Sequence, residues 1–247
     1  STRRAPGTSL GDRRDAVVNS ASGFIAGHAN WVGGLIVGGG RYDWSQGGKY
    51  PTLSEPCAYY NGIKIHETFG PIAFGIACSV LGLRDLGPAI SPFNAFMILT
   101  GIETLPLRMQ RHCDNALKVA KFLKGHARVS WVSYAGLDGD KSNALMKKYA
   151  PKGAGAVFTF GLKDGYDAGV KLVSSVELLS HLANVGDTRS LIIHPASTTH
   201  RQLTDDQKKS AGAGPCPFYT SDAADDLLCV ALRGRLASTD HTHRTHP

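Results

Sequence analysis

The sequence predicts an α/β protein in two parts with a long helix between them, and three observations carry that prediction. After Val129, short β-branched runs alternate with helical patterns, as expected of strands and helices that share a core. Ahead of that region, "TLPLRMQRHCDNALKVAKFLKGH" repeats Met109, Cys113, Ala116, Leu117, Ala120 and Leu123 at three- and four-residue steps. That is one stripe of an amphipathic helix at about 3.6 residues per turn. Finally, 247 residues with 42% hydrophobic and 19% charged content suit one large globular domain or two smaller ones.

In chain order, residues 1–15 are polar and unpatterned. The opening "STRRAPGTSLGDRR" has arginines but no apolar run behind them, so a secretory signal is not expected. "DAVVNSAS" reads as a short buried strand leading into a loop, and "WVGGLIV" as a second strand. Gly38–Asp43, "GGGRYD", supplies a turn whose glycines tolerate positive φ. Residues 66–84 form an apolar helical stretch. Ser91 then stands as an N-cap with Pro92 at the first position of the next helix. Lys121, Lys124 and His126 close the long helix, where cations suit the negative end of its dipole. "VSWVSY" is a strand, "KSNALMKKYA" a short helix, "GAVFTFGL" a strand, "YDAGVKLVSSVELLSHLANV" a helix and "SLIIHPA" a strand. "TDDQKKSA" is a short helix with Thr204 and Gln207 at capping-box spacing. The expected division is 1–105 for the first domain and 106–247 for a small second one.

Several function classes drop out. The net charge is +7, but Lys118, Lys121 and Lys124 follow helix spacing, Lys147 and Lys148 sit near another helix, and the rest are scattered. A solvated basic surface is expected, not a nucleic-acid footprint. The longest apolar runs, Ile72–Val80 and Phe93–Leu99, are too short to span a bilayer, so no membrane partner is expected. Five widely spaced cysteines make no CxxC pair, and Cys78 and Cys113 read as core residues. The closing "HTHRTHP" groups His241, His243 and His246 without acidic partners, so no metal site is expected. There is no internal repeat, no GxGxxG opening a helix and no GxxxxGK[ST].

Two stretches could carry chemistry. "NSASGFIAGHANWVGG", residues 19–34, has small hydroxyl residues followed by glycines that allow backbone to approach a ligand. "LANVGDTRSLIIHPASTTHRQL", residues 182–203, holds Asn184, Thr188, Ser190, Ser197, Thr198 and Thr199. These groups either donate to an anionic ligand such as a carboxylate or cap local turns. His194 and His200 are either acid–base groups or hydrogen-bonded structural histidines.

Three long segments, "YNGIKIHETFG", "LRDLGPAISPFNAFMILTGIETLPLRMQRHCDNALKVAKFL" and "LANVGDTRSLIIHPASTTH", closely resemble the O-acetylhomoserine sulfhydrylases. Those enzymes belong to the Cys/Met-metabolism family of pyridoxal-phosphate enzymes, fold type I, and the resemblance runs over residues 15–214. It implies the C-terminal portion of that fold: the end of the large α/β domain, a long linking helix and a small α/β C-terminal domain. It also implies pyridoxal 5'-phosphate as cofactor and γ-replacement on O-acetyl-L-homoserine by sulfide or a thiol. The products would be homocysteine or methionine plus acetate, in sulfur amino-acid biosynthesis. A small-molecule substrate, a homo-oligomer (dimer or tetramer) and a cytoplasmic location follow from the same resemblance.

Against the family's His-Ser-x-Thr-Lys motif, this chain reads Asn19-Ser20-Ala21-Ser22-Gly23. Ser20 and Ser22 match the two hydroxyls that bind the cofactor phosphate. Gly23 falls on the Schiff-base lysine, which serves the family as attachment point and proton shuttle. No lysine lies within four residues of it, so covalent attachment is not expected. Asn184 falls in the loop that contacts the substrate carboxylate. The family's carboxylate-binding arginine lies in a pattern Asp-x-x-Arg-x-Ser-x-Gly shortly after "SAGAGP", and Arg233 and Arg235 do not sit in such a pattern. The N-terminal half that supplies the family's ring-stacking aromatic and ring-nitrogen carboxylate has no counterpart in these residues. The expectation is an impaired sulfhydrylase-like chain. The alternatives are a non-catalytic fragment or partner subunit, and a related methionine or cystathionine lyase.

Overall fold

The structure is a computed structural model that describes residues 15–210 and 218–221. The chain forms two compact units. Among the described residues, the first takes in 15–22 and Asn30–Leu99, and the second takes in Gly23–Ala29 and those from Thr100 onward.

In the first unit, β1 (Ala16–Ser20) pairs antiparallel with β2 (Gly34–Gly38), setting Val18 opposite Ile36. The alternation of a pleated strand puts Val17 and Asn19 inside and leaves Val18 63% exposed. The strand is therefore half-buried, not buried throughout as the apolar run "AVV" suggested. Three short helices follow: α1 (Pro51–Ser54), α2 (Ile65–Phe69) and α3 (Ala73–Ala77), the last running into π-helical turns over Cys78–Asp85. Leu53, Ile65 and Ala73 form a small core, flanked by Trp44, Tyr50, Phe69 and Ile76. Trp44 stacks on Phe74 with ring centroids 5.1 Å apart.

The helical turns from Ile65 to Asp85 make 21 residues, long and apolar enough to cross a membrane by length and composition only. This corrects the reading from uninterrupted apolar runs, which stopped at each polar residue. Gly70, at φ 52° and ψ −123°, breaks the path inside that stretch. Helix α4 (Pro92–Glu103) begins as its sequence requires, with the Asn94 N–H donating to Ser91 Oγ at 3.1 Å.

The second unit is built on α5 (Leu105–Lys124), whose buried face carries His112, Asn115, Ala116, Val119, Ala120 and Leu123. A five-stranded mixed sheet supplies the other layer, in the order β3 (Val129–Ser133), β4 (Val157–Leu162), β7 (Phe218–Ser221), β6 (Leu191–Ile193), β5 (Ser180–His181). β5 and β6 are parallel, and the other neighbours are antiparallel. Between the strands come α6 (Asn143–Tyr149) and α7 (Gly165–Ser175), and α8 (Asp205–Ser210) follows β6. Val119, Leu123, Tyr134, Phe158, Phe160, Val173, Leu179 and Ile192 close one continuous core.

Three expectations are corrected here. The helix read over Tyr166–Val185 stops at Ser175, and Val176 turns extended at ψ 135°. Leu179 is then buried in the core, and the Ser180 N–H donates to the Ser190 carbonyl at 2.9 Å, so the sheet captures these residues. Cys78 and Cys113 are half-buried and not core residues: the turns that hold Cys78 bury no residue, and Cys113 lies beside the buried stripe of its helix. Strand β7 was not anticipated, yet it separates β4 from β6. The Thr204–Gln207 box forms as read: Thr204 N–H donates to Gln207 Oε1 at 3.0 Å, and Gln207 N–H to Thr204 Oγ1 at 3.3 Å. Arg233, Arg235 and the histidines of the C-terminal tail lie outside the described residues.

Candidate active site

In the first unit, β1 ends in the hydroxyl pair. Ser20 Oγ and Ser22 Oγ lie 2.8 Å apart, Ser20 exposed and Ser22 half-buried. The chain leaves the strand here, and Ala21 N–H donates to the Gly33 carbonyl at 2.9 Å. Two adjacent hydroxyls that satisfy each other can both turn outward to an anion with little reorganisation.

In the second unit, Gly23 opens a tight turn closed by Gly27 N–H donating to the Gly23 carbonyl at 2.7 Å. Gly23 is buried against the 182–187 loop, and a Cβ added to it would run into the Val185 carbonyl oxygen. The next residues are held by Arg108 from α5. Its Nη1 donates to the Phe24 carbonyl at 2.8 Å, and its Nη2 to the Ile25 and Gly101 carbonyls at 3.1 and 2.7 Å. Nε reaches Thr104 Oγ1 at 3.0 Å, and burial lowers the guanidinium pKa from its ordinary value. Phe24 meets the buried His112 ring edge-on, centroids 5.6 Å apart.

The facing loop presents Asn184, Gly186 and Asp187. Asn184 Nδ2 is buried with no hydrogen-bond partner among the described residues. An amide donor left so costs about 1–3 kcal/mol, which fits a group kept for a ligand. Gly186 takes φ +92°, a conformation that favours glycine. Asp187 is buried and accepts from Arg189 at its backbone N–H (3.0 Å), Nε (3.2 Å) and Nη2 (3.1 Å). Burial alone would raise the Asp187 carboxyl. The Arg189 hydrogen bonds and charge outweigh it, helped by His28, and hold the pKa below the usual carboxylate value. Thr188 N–H donates to the Gly27 carbonyl at 2.8 Å, and its Oγ1 lies 3.3 Å from His28 Nδ1.

The structure therefore sets Ser20 with Ser22 in one unit and Gly23 with the Asn184–Gly186 loop in the other. The hydroxyls after β6 serve the turn: Thr198 Oγ1 donates to the His194 carbonyl at 2.9 Å, and Ser197 Oγ lies 2.9 Å from His194 Nδ1. His194 is fully buried, with its ring edge-on to Tyr166. Thr199 Oγ1 is occupied with His200 Nδ1 at 2.9 Å. Sequence reasoning missed Arg108 and the buried Asp187. The acid–glycine run "NVGD" held a signal for Asp187, but nothing near Arg108 marks its partners 83 and 84 residues away.

Comparison with solved structures defines the class. Over 90% of its length the chain superposes on a crystal structure from Campylobacter jejuni described as an O-acetylhomoserine (thiol)-lyase with a pyridoxyl-lysine phosphate. The TM-score is 0.81 at 32% identity, covering 53% of that chain. Cystathionine gamma synthase from Xanthomonas oryzae matches over 94% of this chain and 52% of its own, with TM-score 0.73 and 28% identity. The fold is thus part of a fold type I, pyridoxal-phosphate-dependent α/β enzyme. The profile of the Cys/Met metabolism PLP-dependent enzymes matches residues 8–215, and the chain belongs to that family.

Among its relatives, the O-acetyl-L-homoserine sulfhydrylase of Leptospira meyeri is 50% identical over 81% of this chain and 47% of its own length. Homocysteine synthase of Schizosaccharomyces pombe is 48% identical over 80% of this chain and 46% of its own. The chain spans about half the length of the curated relatives it matches.

Proposed function

We propose that this chain is part of an O-acetylhomoserine sulfhydrylase-type enzyme acting in sulfur amino-acid biosynthesis. The reaction is γ-replacement on O-acetyl-L-homoserine by sulfide or a thiol, giving homocysteine or methionine and acetate. The observation that carries this reading is 50% identity to a sulfhydrylase over 81% of the chain. Residues 1–105 are read as the remainder of the cofactor-binding domain and 106–247 as the small domain. The whole protein is read as a cytoplasmic homo-oligomer that uses neither nucleic acid nor membrane. The apolar turns of Ile65–Asp85 suit a protein partner better than lipid, since Gly70 breaks their path and Arg84 and Asp85 close them.

Pyridoxal phosphate fits these residues in part. The Ser20–Ser22 pair offers two donors for its phosphate, and the unpartnered amide of Asn184 offers one for a substrate carboxylate. Covalent attachment at position 23 does not fit: a buried glycine stands there with the Val185 carbonyl against it. That closure favours a second reading, a non-catalytic fragment or partner subunit of the same family. A related methionine or cystathionine lyase is disfavoured by the sulfhydrylase relatives.

The test is to titrate the purified chain with pyridoxal phosphate, treat it with borohydride and map any fixed adduct. Reversible binding weakened about tenfold by Ser20→Ala or Ser22→Ala is expected, as for loss of one charge-assisted hydrogen bond. No adduct at a defined lysine is expected. Such an adduct would overturn the reading of position 23, and binding indifferent to both serines would overturn the assignment of the phosphate to Ser20 and Ser22. Acetate release from O-acetyl-L-homoserine with sulfide then separates an active chain from the non-catalytic reading.

A further inference from the structure

We propose that Gly23–Ala29 is a structural strap of the second unit and that position 23 is closed to every side chain by the Val185–Gly186 backbone. A lysine therefore cannot be reinstated there by substitution alone. The inference does not depend on which reaction the family member performs.

The closure is reciprocal. A Cβ on Gly23 would strike the Val185 carbonyl oxygen, and a Cβ on Gly186 would strike the backbone nitrogen of Phe24. On the other side of the strap, a Cβ on Gly101 would meet the Ala26 backbone, with its O and Cα 2.5 and 2.7 Å away. In all three places the obstacle is backbone, which cannot swing aside as the end of a flexible side chain can. Conformation separates the cases. Gly186 has φ +92° and needs glycine on that ground too, whereas Gly23 and Gly101 do not have left-handed φ. At those two positions space alone demands glycine.

Hydrogen bonds hold the strap in the same place. Gly27 N–H donates back to Gly23, Thr188 N–H donates to Gly27, and Arg108 takes the Phe24 and Ile25 carbonyls. A side chain at 23 would have to displace the 182–187 loop and break the Thr188 bond. A reactive lysine needs room and freedom to reach its partner, and this backbone packing supplies neither.

The experiment compares thermal unfolding of Gly23→Ala, Gly101→Ala and Gly125→Ala in the full chain. Gly125 lies in the same unit with its nearest foreign atom at 3.7 Å, an ordinary contact. Gly23→Ala and Gly101→Ala are expected to lower Tm by about 5 °C or more, with Gly125→Ala changing it little. A Gly23→Ala protein that melts with the wild type would overturn the proposal.

Should Gly23→Ala fail to accumulate, amide exchange on the wild type decides. The Gly27 and Thr188 N–H groups are expected to exchange about 100-fold or more slowly than in unstructured chain, and free exchange would sink the strap. Gly23→Lys, treated with pyridoxal phosphate and borohydride, is expected to give no adduct at 23. An adduct there with Tm unchanged would overturn the closure.

Discussion

The two units handle their apolar side chains in opposite ways. The second buries Val119, Leu123, Phe158, Phe160 and Ile192 between α5 and the mixed sheet. The first gathers a core of Leu53, Ile65 and Ala73 with aromatic flanks, yet leaves Val18, Phe93, Phe96 and Leu99 each more than 60% exposed. Large exposed apolar patches mark surfaces made to meet another surface. The second unit thus encloses a larger apolar core than the first. The hydroxyl pair lies in the first unit, and the closed Gly23 loop in the second.

Core truncations test that contrast most strongly. Phe158→Ala removes a buried ring that packs 5.9 Å from Tyr134 and is expected to destabilise the second unit by about 3–5 kcal/mol. Ile65→Ala in the first unit is expected to cost about 2 kcal/mol, since its half-buried surroundings can relax. Urea unfolding followed separately through each unit reads both values, and equal losses would erase the contrast.

A smaller effect is expected at Asp187. Its folded pKa lies below the unfolded one, so its contribution to stability is present above about pH 4. It is lost as pH falls through the lower folded value. Arg189 is 62% exposed, so Arg189→Ala is expected to destabilise only modestly at neutral pH, because solvent screens the pair, and hardly at all near pH 2. A penalty that does not change with pH would show that Arg189 acts through packing instead.

The smallest effect on stability is expected from Phe93→Ser with Phe96→Ser, within about 0.5 kcal/mol, as for exposed sites. Self-association should fall, read by sedimentation. Loss of stability without change in association would mean that the α4 face is already covered.

Much of this was legible because its causes are local. Ser91 before Pro92 and the Thr204–Gln207 box act within one turn and appear where the pattern places them, whereas the buried face of α5 keeps Ala116, Ala120 and Leu123 but takes His112, Asn115 and Val119 in place of Met109, Cys113 and Leu117. The family, too, was readable from residue order. By contrast, α7 was read too long because "VELLSHLANV" keeps an apolar rhythm past Ser175, and only pairing with β6 draws Ser180 and His181 into the sheet. β7 escaped notice because four residues hold too few positions to reveal a period.

The sequence by itself determined the family, the caps at Ser91 and Thr204–Gln207, and the identity of the residue at position 23. Tertiary structure decided what that glycine means. Whether a side chain could stand there depends on Val185, and the strap's hold depends on Arg108, both far along the chain. Contacts between distant segments arise from how the backbone closes, and no local pattern of residues encodes them.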